Sequence, residues 1–187
     1  MTTESHCSSL SRQTKRAPIK KGPTVVSRNL TSGTKQGEMA RILIVDDDRD
    51  LYMIVSTLLK QEGHTVEGAE GGRQALEMML KNAPDICVLD VMMPSLDGFS
   101  VLKEMKATGL KRKVKVLIFT AKTSETDWVK GYRMGADLYL TKPFDPEEFL
   151  KSIEQLHSRG HEELRVRRQK ELEKAELLSR VQSIFDR

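Results

Sequence analysis

Between Arg41 and about His157, short apolar runs alternate with segments whose apolar residues recur every three or four positions. Ile42-Leu43-Ile44-Val45, Ile86-Cys87-Val88-Leu89 and Val116-Leu117-Ile118-Phe119 are uninterrupted apolar runs of strand length. Weaker runs around His64–Glu67 and at Leu138-Tyr139-Leu140 predict two more strands. Leu51, Ile54, Val55, Leu58 and Leu59 share one face of a helix that begins about Asp50 and stops at Gly63. Ala75, Leu76, Met79 and Leu80 do the same over about Gly72–Lys81. Further helices are predicted over about Gly98–Ala107, over about Glu125–Met134, and after Pro146. Continuous apolar strands belong to a sheet covered on both faces, and strict strand–helix alternation makes that sheet parallel. The fold class is therefore α/β, a doubly wound five-stranded parallel sheet flanked by five helices.

The flanks follow other rules. Residues 1–38 are rich in Ser, Thr, Lys, Arg, Gly and Pro without a sustained period, which predicts a disordered tail. Its Ser/Arg-rich, acid-poor character also fits a transit peptide, and Met39 is placed for an alternative translation start. His161–Arg187 has no Gly or Pro and predicts one charged amphipathic helix, with Leu164, Leu172, Ala175, Leu178, Val181 and Phe185 at loose three-four spacing. The expected domains are thus a basic tail over 1–38, a globular domain over 39–158, and a helix over 159–187 that could form a coiled-coil dimer.

Charge and composition narrow the reading. The net charge of +4 sits in the tail, where seven Lys/Arg face Glu4 and Glu38. The basic balance is therefore poor support for a nucleic-acid-binding fold, and no direct nucleic-acid contact is expected. No apolar run approaches the length needed to cross a bilayer, and no secretory apolar segment follows Met1, so a cytoplasmic protein without membrane contact is expected. Cys7 and Cys87 cannot make a disulfide framework, and Cys87, inside an apolar run, reads as an inert core thiol.

The chemistry lies where the strands end. Asp46 and Asp47, Asp90, Thr120 and Lys142 each follow or close a predicted strand, and ligands in open α/β sheets bind beyond the carboxyl ends of the strands. Grouped carboxylates repel unless a cation sits among them. A hard divalent ion such as Mg²⁺ takes oxygen ligands of this kind. A carboxylate can also attack phosphorus, with an ammonium, a hydroxyl and the cation neutralising the phosphoryl oxygens.

Ile42–Asp48, Val88–Pro94 with Asp97-Gly98, Phe119-Thr120-Ala121, Gly135-Ala136-Asp137 and Lys142-Pro143-Phe144 together resemble the receiver domain of two-component response regulators, the CheY-like superfamily. The similarity spans Ala40–His157 with every element in order. It implies a flavodoxin-like strand order 2-1-3-4-5 and a phosphorelay function. By this resemblance Asp90 is the phospho-acceptor, Asp47 a direct metal ligand, and Asp46 its neighbour, direct or through water. Met92 would offer its backbone carbonyl to the metal, Mg²⁺ or Mn²⁺. Thr120 would be the switch hydroxyl, Lys142 the phosphate-pairing ammonium, and Tyr139 the aromatic that rotates with the switch. The Lys142–Pro143 bond is expected to be cis. The implied partners are a sensor histidine kinase or phosphotransfer protein and a downstream protein reading the fourth helix, fifth strand and fifth helix, with the signal passing to the C-terminal helix through continuity with the fifth.

Taken singly, each motif has a plainer account. Asp46-Asp47-Asp48 could cap a helix, Lys142 could be a surface lysine before a turn, and Tyr139 a half-buried strand aromatic. His157 and His161 could share a helix face but lack a third metal ligand. Lys111-Arg112-Lys113 reads as a solvated loop and Arg165–Arg168 as a solvated helix face. Two functional alternatives stay open beside the phosphorylated switch: a docking module that never turns over phosphoryl groups, and the N-terminal part of a larger effector-bearing regulator. Catalysis beyond the chain's own phosphoryl transfer and dephosphorylation is not expected.

Overall fold

A computed structural model describes residues 39–185, with side chains through Leu177. The tail over 1–38, Cys7, and the side chains of Leu178, Val181 and Phe185 lie outside the described residues. The elements are β1 (Arg41–Val45), α1 (Arg49–Gln61), β2 (Thr65–Ala69), α2 (Gly72–Lys81), β3 (Ile86–Leu89), α3 (Gly98–Ala107), β4 (Lys115–Thr120), α4 (Glu125–Met134), β5 (Leu138–Thr141), α5 (Pro146–Ser158) and α6 (His161–Phe185). A 3-10 turn, Leu110–Arg112, precedes β4. All five strands pair in parallel in the order β2-β1-β3-β4-β5.

Period-two alternation splits each apolar run between two cores. Leu43, Val45, Cys87, Leu89, Val116 and Ile118 face the side covered by α2 and α3, where they meet Ala75, Met79, Leu102 and Met105. Ile42, Ile44, Ile86, Val88, Leu117 and Phe119 face α1 and α5, against Val55, Leu59, Phe149 and Ile153. A one-residue slip of a central strand would exchange its two side-chain sets between these cores, which fixes the register. Burial in the first core pushes the Cys87 thiol up to about 12, consistent with an unreactive packing residue.

Three local expectations are corrected. β2 continues through Gly68 to Ala69, beyond the predicted Glu67. A Cβ at Gly68 would come within 2.5 Å of the Tyr52 ring, so glycine there admits the packing of α1 on the strand. Lys111 is not in a solvated loop: Leu110 and Val114 bury on either side of it, and its own side chain is only 11% exposed. α6 does not continue α5. Arg159 is extended (φ −98°, ψ 144°), so His157 and His161 stand on different helices, and α6 packs against α4.

That packing uses the seam expected for self-association. Leu164 and Ala175 are buried against the domain, and Arg133 pairs with Glu176 at 3.2 Å. Arg168 is not solvated either. It donates to the Gly135 carbonyl at 3.1 Å and to Asp137 Oδ1 at 3.0 Å, capping the C-terminal end of α4. No helix among the described residues is long and apolar enough to cross a membrane.

Candidate functional site

The carboxyl ends of β1, β3, β4 and β5 converge on one crevice. Asp46 is the first residue past β1 and Asp90 the first past β3, and both are buried at 6% exposure. Ladder bonds continue into the site and hold these residues: the Asp46 amide donates to Ala69 and the Asp90 amide to Val45. Thr120 closes β4 fully buried, and the Lys142 amide after β5 donates to the Thr120 carbonyl at 2.8 Å. The side chains gathered here thus ride on the central strands, not on loose loops.

The aspartate triplet divides its labour. Asp48 caps α1, accepting from the amides of Asp50 and Leu51 at 3.0 and 3.1 Å. Asp46 and Asp47 turn toward the crevice instead, and oxygens of Asp46, Asp47 and Asp90 all lie within 4.8 Å of one another. Asp47 is the exposed member of the three. Lys142 Nζ bridges the other two, at 2.7 Å from Asp46 Oδ2 and 3.2 Å from Asp90 Oδ2. The plain account of Lys142 as a surface lysine does not describe this position, since its side chain is 19% exposed and lies over the Phe119 ring. The Lys142–Pro143 bond is cis, as the resemblance implies.

Burial raises the Asp46 carboxyl above its ordinary range, and the Asp90 charge adds to that. Hydrogen bonds from Lys142 and from the Asp48 amide oppose it. One ammonium therefore faces three acidic groups and leaves negative charge uncompensated. Closely grouped oxygen donors with surplus negative charge suit a hard divalent cation and not a soft one. The residues present fit such an ion.

Asp90 is further oriented by the Met92 amide, which donates to its Oδ1 at 3.0 Å, while the Met92 side chain is exposed. The loop that carries Met92 depends on Gly98. A Cβ at Gly98 would fall 2.2 Å from the Asp90 carbonyl oxygen, so no other residue can let α3 start this close to the end of β3.

Thr120 and Tyr139 are coupled through a residue the sequence did not single out. The Lys122 amide lies 3.5 Å from Thr120 Oγ1, and the Lys122 carbonyl accepts from the Tyr139 hydroxyl at 2.9 Å. Burial keeps that phenol protonated, pushing it up to about 12, with Asp127 and Asp90 contributing. Tyr139 also lines a cleft of 380 Å³ beside Trp128, Pro143 and Glu148, between α4 and α5. Lys122 was missed because its contribution is backbone, which leaves no residue-type signal.

Comparison with known proteins agrees with this arrangement. Residues 42–154 match the response regulator receiver domain. The transcriptional regulatory protein RprY of Bacteroides fragilis is 39% identical over 117 residues, covering 63% of this chain and 49% of that one. The response regulator MprA of Mycolicibacterium vanbaalenii is 44% identical over 110 residues, 59% of this chain and 47% of its own. The chain thus spans about half the length of the curated relatives it matches. Among solved structures, the Vibrio cholerae chemotaxis protein CheY4 superposes with a TM-score of 0.60 at 34% identity, covering 64% of this chain and 99% of that one. The Francisella response regulator 1452 receiver domain gives 0.61 at 32%, covering 64% and 98%.

Proposed function

The chain belongs to the response regulator receiver family, and from that premise we propose that Asp90 accepts a phosphoryl group from a phosphohistidine of a sensor kinase or phosphotransfer protein. One Asp90 carboxylate oxygen attacks phosphorus, the N–P bond breaks, and the imidazole leaves with the bonding pair and takes up a proton. The observation that carries this reading is the convergence of three carboxylates within 4.8 Å, with the buried Asp90 already bonded to Lys142. Asp46, Asp47, Asp90 and the Met92 carbonyl would hold Mg²⁺ or Mn²⁺, which when bound supplies neutralisation of the phosphoryl oxygens. Lys142 pairs with a phosphoryl oxygen and gives up its present bond to Asp90. Thr120 donates its hydroxyl to another oxygen.

Modification adds roughly −1.5 to −2 charges in a crevice already short of cations. Movement of Thr120 draws on the Lys122 peptide, and with it the Tyr139 hydroxyl bond. The surface formed by α4, β5 and α5 then changes for a downstream protein. α6, lying on α4, is placed to feel that change.

Incubation of the protein with acetyl phosphate and Mg²⁺, followed by intact mass, tests the reading. One phosphoryl adduct is expected, absent in Asp90→Asn. An unmodified parent would favour the docking module, and an adduct that survives in Asp90→Asn would remove Asp90 from its role.

A further inference from the structure

A second cleft opens at the opposite ends of the strands, between the 3-10 turn and α6, with a volume of 350 Å³. Lys106, Lys111, Arg112, Arg165, Arg168 and His161 line it. Two carboxylates share the space, and both are committed. Asp137 is 2% exposed and accepts from Lys111, from Arg168 and from the Val116 amide. Glu162 forks onto Arg165 at 2.6 and 2.9 Å. Lys106 reaches only a backbone carbonyl, that of Arg133, and Arg112 carries no ion pair among the described residues.

Cations gathered this way oppose one another. Burial holds both Lys106 and Lys111 below the ordinary lysine range, with the Arg168 charge adding to it and, at Lys111, Asp137 opposing it. A concave surface of one sign focuses its field on ions of the other. The guanidinium fork of Arg112 suits paired phosphate oxygens, Arg165 would exchange its present fork onto Glu162 for one onto phosphate, and Lys106 adds a point charge.

We propose that this cleft binds a small anion carrying linked phosphates, either inorganic pyrophosphate or the diphosphate of a nucleotide. Such a ligand bridges the 3-10 turn and α6, and so ties the terminal helix to the domain at the end of the sheet remote from Asp90. It gives the chain an input separate from phosphoryl transfer.

Calorimetric titration of the full chain with pyrophosphate in the absence of Mg²⁺, beside sulfate at matched ionic strength, tests the proposal. Saturable binding of pyrophosphate is expected, with sulfate clearly weaker. The Arg112→Ala/Arg165→Ala pair should weaken it by about tenfold or more, and Lys106→Gln in the same direction. Both arginines are on the surface, so folding is preserved, and acceptance of phosphoryl on Asp90 stays at the parent level. Amide shifts at Gly109 and His161 should saturate with the heat. An adenosine diphosphate arm that binds more tightly than pyrophosphate assigns a nucleotide, and equal binding assigns the inorganic ligand. The proposal is overturned by absence of binding at millimolar pyrophosphate or by equal binding of sulfate. Affinity unchanged in the double variant overturns it too, since it would place the anion on the basic residues of 1–38.

Discussion

At the carboxyl ends of the strands two of three grouped aspartates share one ammonium, whereas at the amino ends one aspartate is shared by Lys111 and Arg168. The two centres differ in saturation more than in sign. Asp137 is nearly inaccessible and meets a donor on every side, so it acts as a pin that joins the 3-10 turn, β4 and α6. Asp46 and Asp90 are equally buried, but Asp47 beside them is open to solvent and the group carries surplus charge. A saturated centre holds geometry, and an unsaturated one is built to receive something. Thus two centres built on buried carboxylates have different work.

Removing each centre's key group should separate those roles. The largest effect is expected from Asp137→Ala, which strands Lys111 in a poorly solvated position. It should lower unfolding stability by about 3–5 kcal/mol in a denaturant titration. A loss within surface-pair range would show that the pin is not structural. Lys142→Ala takes the shared ammonium from Asp46 and Asp90, so a smaller loss of stability is expected, with its main effect a slowing of phosphoryl acceptance on the order of 100-fold. Equal rates in mutant and parent would remove Lys142 from the chemistry.

The smallest effect concerns His161 at the basic end. Burial, with the Lys111 and Lys115 charges, sets its imidazole below the ordinary 6.5, against the pull of Asp137. A base whose folded value is depressed resists protonation in the fold. Its penalty is absent above 6.5 and grows as pH falls through the folded value. His161→Asn should therefore flatten part of the stability loss on acidification below neutrality. Because the ring is exposed, the change is slight, and identical pH profiles would contradict the shift.

Much of the acidic end was legible in the sequence because each of its groups follows an apolar strand, and strand ends share one edge of a parallel sheet. Even there, the distinction between Asp48 as cap and Asp46 with Asp47 as site residues required coordinates. The basic end was misread for a physical reason. Lys111 and Arg168 lie 26 and 31 residues from Asp137, and no periodicity links such positions. Charged runs look solvated until the chain folds a carboxylate between them. The start of α6 at His161 was legible, but its packing on α4 was not, since loose three-four spacing does not say which surface an apolar seam will meet.

Gly98 has a consequence for how this site is studied. Because its missing side chain leaves room for the carbonyl that follows β3, any replacement must displace the peptide that carries Asp90. A saturation screen scored on phosphoryl uptake would rank this position with the reacting groups, although it has no side chain to offer a reactant. Sensitivity to mutation here marks distance between backbones, and a map of essential positions in this domain reads partly as a map of steric clearance.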